Sequence, residues 1–93
     1  MTVRTIHKFR IEPGTQRLHV GYDPKPLSVQ MQGTDMCLWA SFALAHLPAI
    51  GNPRDLAVTV VGTGCPFTDD GADAFVGTVQ HEGFVWHVFA RQA

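Results

Sequence analysis

Apolar and polar positions alternate with a period of two along most of this chain, the pattern of strands with one face turned to a core. In the first segment Val3, Thr5, His7, Phe9 and Ile11 fall on one side, and Arg4, Ile6, Lys8 and Arg10 on the other. Pro13-Gly14 signals a turn. A loop from Pro13 to Gln16 then pairs Ile11 with Leu18 and Phe9 with Val20, with Tyr22 on the same side. This register gathers Arg4, Lys8, Arg10, Arg17 and His19 on the opposite face, and a one-residue slip would mix the two sets. Asp23-Pro24-Lys25-Pro26 is expected to break the strand.

The next pair of segments runs from Leu27 to Gln32 and from Asp35 to Ser41. Gly33-Thr34 between them suits a two-residue type II′ turn. Leu27, Val29, Met31, Met36, Leu38 and Ala40 then share a face, and Trp39 and Cys37 interrupt an otherwise polar one. Phe42 to Ile50 is apolar and reads as a short helix ending before Pro48, with His46 in it. Leu56 to Val61 is a short β-branched strand, apolar enough to be central. Gly62-Thr63-Gly64-Cys65-Pro66 ends it.

The last segments, Phe75 to Gln80 and Phe84 to Phe89, form the strongest hairpin signal. A three-residue connection, His81-Glu82-Gly83, would pair Gln80 with Phe84, Thr78 with Trp86 and Gly77 with His87, Gly83 taking the left-handed conformation. Both faces are then largely apolar, which points to a central hairpin covered on both sides. Gly77 opposite His87 leaves room for a ring to lie across the neighbouring backbone.

These elements predict one compact domain over residues 1–93: a small antiparallel barrel or two-layer sandwich of about six or seven strands, with at most one short helix. Hydrophobic residues make up 45% of the sequence and charged residues 16%, the balance of a globular protein. No apolar run is long enough for a membrane helix. No secretory leader is recognisable at the start, and two cysteines are too few for a disulfide scaffold. A reduced, cytoplasmic protein without membrane partners is the expectation. Net charge is −1 but uneven. Residues 1–25 carry five cations against two acids, and residues 26–93 two cations against six acids, giving +3 and −4. That is a local basic patch rather than the general excess of a nucleic-acid-binding domain, so nucleic acid is a weak second to a protein partner.

Chemistry-bearing residues are present without a diagnostic spacing. Gly62-Thr63-Gly64 lacks the third glycine of a dinucleotide loop and the Lys-Ser/Thr of a phosphate loop. Thr68-Asp69-Asp70-Gly71-Ala72-Asp73 lacks the ligand spacing of an EF-hand. Cys65 with His87, Cys37 with a histidine, or zinc held by His7, Cys65 and His87 would each need distant strands to converge. No cofactor or metal is implied, and the expectation is a protein that is not an enzyme. The residues expected to make contacts are the basic set Arg4, Lys8, Arg10, Arg17 and His19, the lone Trp39, and the acidic loop Asp69, Asp70 and Asp73.

Several segments also resemble a family of small uncharacterised proteins of bacteriophages and prophages. They are Ile6-His7-Lys8-Phe9-Arg10-Ile11, Gln30-Met31-Gln32-Gly33 with Cys37-Leu38-Trp39-Ala40, Val61-Gly62-Thr63-Gly64, and the closing Val76-Gly77-Thr78-Val79-Gln80 and Phe84-Val85-Trp86-His87-Val88-Phe89. The chain departs from that pattern at Cys65, where a His is expected, and over 42–50. The resemblance implies a phage origin and no established activity. An accessory protein that occupies a host macromolecule, such as a defence complex, follows from it. A structural or oligomeric component of a particle is the alternative, and a small metal- or thiol-dependent enzyme the third.

Overall fold

The structure is a computed structural model that describes residues 2–44, 51–69 and 71–93. It is all-β among these residues, with six strands and no helix. The strands are β1 (Arg4–Arg10), β2 (Gly14–Gln32), β3 (Asp35–Ala43), β4 (Pro53–Gly62), β5 (Ala74–His81) and β6 (Phe84–Gln92). They form one antiparallel sheet in the order β1-β3-β2-β4-β6-β5, curled into a half-barrel. Of the expected helix, Phe42 and Ala43 belong to β3, and residues 45–50, His46 included, lie outside the described residues.

The curl comes from β2. Its first part, Gly14 to Tyr22, pairs with β4, and its second part, Tyr22 to Gln32, pairs with β3. One strand therefore belongs to both walls of the half-barrel. The expected break at Asp23-Pro24-Lys25-Pro26 is a change of neighbour instead. Register shifts fall between Tyr22 and Lys25 and between Pro26 and Ser28, and bulges of this kind tolerate proline's missing N–H. Asp23 takes a left-handed φ of 46° at the corner, a conformation Asp tolerates better than most side chains.

The first hairpin expected from the sequence does not form. β1 pairs with β3, Arg4 opposite Ala43 through Arg10 opposite Cys37. Ile11 donates its N–H to Met36 O (2.9 Å) and buries its side chain in the core. The chain then crosses to the other wall, where Glu12 and Gln16 exchange hydrogen bonds across the connection (3.0 and 2.6 Å). Local matching of Ile11 with Leu18 loses to a core that takes in both residues from different walls.

The second hairpin forms as expected. Gln32 faces Asp35 across Gly33-Thr34, with Gly33 alone of the two at positive φ. The bulge at Pro26 turns Leu27 outward, away from Val29, Met36, Leu38 and Ala40. The terminal hairpin forms with a different register. Its turn is the two-residue Glu82-Gly83, both at positive φ (52° and 81°), the type I′ geometry whose twist matches that of paired strands. His81 therefore faces Phe84, Val79 faces Trp86, Thr78 faces His87 and Gly77 faces Val88. A bulge at Val76 restores Phe75 opposite Phe89. The hairpin is not covered on both sides: β5 ends the sheet, and Phe75 and Phe84 are 60% and 64% exposed.

The core lies between the walls. Val29, Met36, Leu38 and Ala40 face Leu56, Val58, Val60, Val79, Val88 and Ala90, with Ile11 between them. Gly77 admits Val29 rather than a ring: a Cβ there would lie 2.8 Å from Val29 Cγ1. The backbone of β5 thus rests directly on β2. Gly77→Ala is expected to cost about 1–3 kcal/mol by overpacking. The double variant with Val29→Ala should be more stable than the summed single losses by at least about 0.5 kcal/mol. Chemical denaturation of the four proteins checks this; strictly additive losses would deny the contact.

Candidate functional site

The basic residues grouped by the sequence are separated by the fold. Arg4, Lys8 and Arg10 stand on β1 against β3, while Arg17 and His19 stand on β2 against β4. Most are held by acids. Asp55, opposite His19, accepts from its ring Nδ1 (2.8 Å) and lies 3.6 Å from Arg17 Nη1. Arg10 Nε lies 3.7 Å from Asp35 Oδ1, both groups more than half exposed. Lys8 donates to Gln32 Oε1 and has no carboxylate partner among the described residues. The continuous basic face is thereby replaced by pairs, because β3 was not foreseen beside β1.

Arg4 is structural. Its Nε donates to Ser41 Oγ (3.2 Å), its Nη1 to Asp23 Oδ2 (3.1 Å), and its Nη2 to the carbonyl oxygens of Asp23 and Ser41. From β6, Gln92 Nε2 donates to Asp23 Oδ1 (3.1 Å) and to Pro24 O (3.0 Å). This network ties β1, β2, β3 and β6 at the corner of β2.

The acidic loop is not one cluster either. Asp69 accepts the N–H of Gly71 (2.9 Å) in a surface turn, and Asp73 lies 3.9 Å from Arg91 on β6. Asp70 lies outside the described residues. Beside this loop Phe67 stacks on Phe89 (centroids 4.9 Å), which also meets Phe75 (5.5 Å). That ring cluster was not singled out from the sequence; the aromatic content of the last strands was its only signal. A groove of about 380 Å³ runs beside it, lined by Thr15, Ala57, Thr59, Phe67, Asp73 and Arg91 among others.

Trp39 is the predicted residue whose surroundings form a surface. It is half-buried on the face of β3 turned away from the core, with Lys8 opposite on one side and Ser28 on the other. Ile6 and Leu27, 57% and 48% exposed, flank it. With Ser28 and Gln30 these residues line an open groove of about 380 Å³. Exposed apolar groups around a Trp, rimmed by polar ones, have the composition of a protein-contact surface.

The pairs imagined for chemistry are not formed. Cys37 is buried and points its thiol at Asp35 O (3.8 Å). Cys65 is exposed, and its N–H closes a turn onto Gly62 O (3.0 Å). His87 is held instead by Thr63 Oγ1 at Nε2 (2.7 Å) and Thr78 Oγ1 at Nδ1 (3.0 Å). His7 meets Phe42 edge-on (4.9 Å). Among the described residues no three His, Cys, Asp or Glu side chains are grouped to hold a metal ion, and no helix is long and apolar enough to cross a membrane.

Fold and surface together define a small all-β antiparallel domain with an apolar groove on one outer face. Residues 2–93 match the family described as "Domain of unknown function (DUF7352)", and the chain belongs to that family. No curated protein and no solved structure matches it.

The Asp23 network makes a pH prediction. The Asp23 carboxyl titrates below its ordinary value of 3.8, first because Gln92 donates to it, and further because Lys25 and Arg4 stand near, against the opposing effect of desolvation. A depressed folded value means a contribution present above about pH 4 and lost as the pH falls through the lowered value. Asp23→Asn should therefore be less stable than the parent at neutral pH, with the gap closing below about pH 4. Thermal unfolding across that range checks it; a gap unchanged down to acid pH would show that the carboxylate charge is immaterial.

Proposed function

We propose that this chain is a non-enzymatic binding protein that contacts a partner protein through the Trp39 groove. The observation that carries this is the placement of Ile6, Leu27 and Trp39 on an outer sheet face, where they add nothing to the core. A small domain gains nothing in stability from apolar groups left in water, whereas an interface gains most from a central aromatic anchor. The phage setting, a host macromolecule as partner and an inhibitory role against a host defence system rest on the sequence resemblance described above. Nucleic acid is disfavoured as the partner, because Arg4 and Arg17 each lie against a carboxylate and Lys8 with Arg10 on β1 is too short a basic row to follow a phosphate backbone.

Immobilised protein and bacterial host lysate give the test. Trp39→Ala, with folding verified by its amide spectrum, should weaken capture of any retained partner by about 10–30-fold, the effect of losing a hot-spot side chain. Arg17→Glu on the other wall should leave capture unchanged. Equal capture by the parent and Trp39→Ala would remove the groove from the function.

A second reading, a self-assembling component, is favoured by one observation. Phe75, with Phe67 and Phe89, leaves a second apolar surface at the opposite end of the strand order from Ile6, and two unlike sticky surfaces on one subunit suit head-to-tail assembly. Light scattering decides it: a mass that rises with concentration in the parent and stays monomeric in Phe75→Ser supports assembly, and a monomer throughout ends it.

A further inference from the structure

We propose that β1 is a strand-addition edge that takes up an extended acidic segment of the partner protein as a seventh strand; this rests on the binding reading above and names the chemistry of that partner. Two strands end the sheet, and they are not equivalent. β5 lies on β2, where Gly77 would set a Cβ within 3.9 Å of Val29 N. β1 pairs with β3 alone among the described residues, and its middle residues Ile6, His7 and Lys8 are exposed. A row of backbone N–H and C=O groups on its far side is therefore available to an extended chain.

The side chains of β1 say which chain. On the face shared with Trp39 they run Arg4, Ile6, Lys8, Arg10. Arg4 is committed to Asp23 and Ser41. Among the described residues Lys8 bonds the neutral Gln32. Arg10 lies in a solvent-exposed pair with Asp35, which is worth about 0–1 kcal/mol and is readily shared with another carboxylate. The same charges oppose a second copy of β1 in the central registers. Antiparallel pairing about Ile6 sets Arg4 against Lys8, about His7 sets Arg4 against Arg10, and about Lys8 sets that residue against itself, and like charges directly opposite destabilise a sheet. A strand with acids opposite Lys8 and Arg10 and an apolar residue opposite Ile6 meets none of these penalties. Its apolar side chain would extend the wall of the groove formed by Ile6, Leu27 and Trp39.

The probe is a blocked peptide of the sequence Glu-Thr-Glu-Thr-Leu-Thr, compared with its counterpart bearing Lys for Glu. Amide spectra and hydrogen exchange of the full chain are followed during titration. The acidic peptide should shift the amides of β1 and slow their exchange. It should bind at least about ten-fold more tightly than the basic peptide, with Lys8→Glu abolishing that preference. Shifts around Trp39 without protection of β1, an equal response to both peptides, or no response to either would overturn strand addition. The binding reading is judged separately, by whether capture from lysate depends on Trp39. A partner held through Trp39 while the β1 amides stay unprotected leaves that reading standing and removes this one.

Discussion

The fold depends on one corner. At Asp23 the longest strand stops pairing with β4 and begins pairing with β3, and everything that makes a half-barrel from a flat sheet follows from that exchange. A left-handed residue and two prolines would be costly in the middle of a continuous ladder. Here they fall where the ladder changes sides, and the carboxylate that the left-handed residue presents is secured from both walls. Arg4 reaches it from β1 and Gln92 from β6. Pro24 is buried beneath them. The corner is polar, charged and only partly shielded, so its value lies less in net energy than in fixing the angle at which two apolar faces meet.

Given that angle, the core is ordinary. Small and branched side chains fill it, and Leu38, Leu56, Val58 and Val88 are fully enclosed. Gly77 lets the last hairpin close onto Val29 without a spacer. Of the larger residues, Phe9 and Trp86 pack against its margin, whereas Trp39 on one wall, and Phe67, Phe75 and Phe89 on the other, lie outside it.

The local elements and two of their hairpins were legible, and the partners across the half-barrel were not. Leu56 to Val61, the Gly33-Thr34 turn and the closing strands could be read from alternation and turn chemistry, because those signals reside in a few adjacent residues. The corner could not. Asp23-Pro24-Lys25-Pro26 carries the same letters whether a strand ends or changes neighbour, and only the other wall decides. The pairing of β1 was misplaced because Ile11 and Leu18 suit each other locally as well as they suit the core. The one-residue difference in the last hairpin arose from Glu82, a residue whose left-handed conformation the sequence does not advertise. For the site, every charged residue was visible, but charge is only half of an electrostatic argument. Asp55, Asp35 and Asp23 turned a basic face into a set of pairs. Trp39 was recognisable as a misfit on a polar face, and there the sequence and the fold agree.

The corner has a temporal consequence. It is assembled from residues 4, 23, 41 and 92, so its last member is made well after the other three. While a ribosome still holds β6, β1 to β4 can pair, but Asp23 lacks the hydrogen bonds that Gln92 supplies and Val29 lacks the β5 backbone that closes over it. During synthesis the open half-barrel therefore exposes the interior valines and leucines of both walls, and such intermediates are prone to association. Closing it is the act of the terminal hairpin, whose tight Glu82-Gly83 turn lets those two strands form as a local unit and dock together.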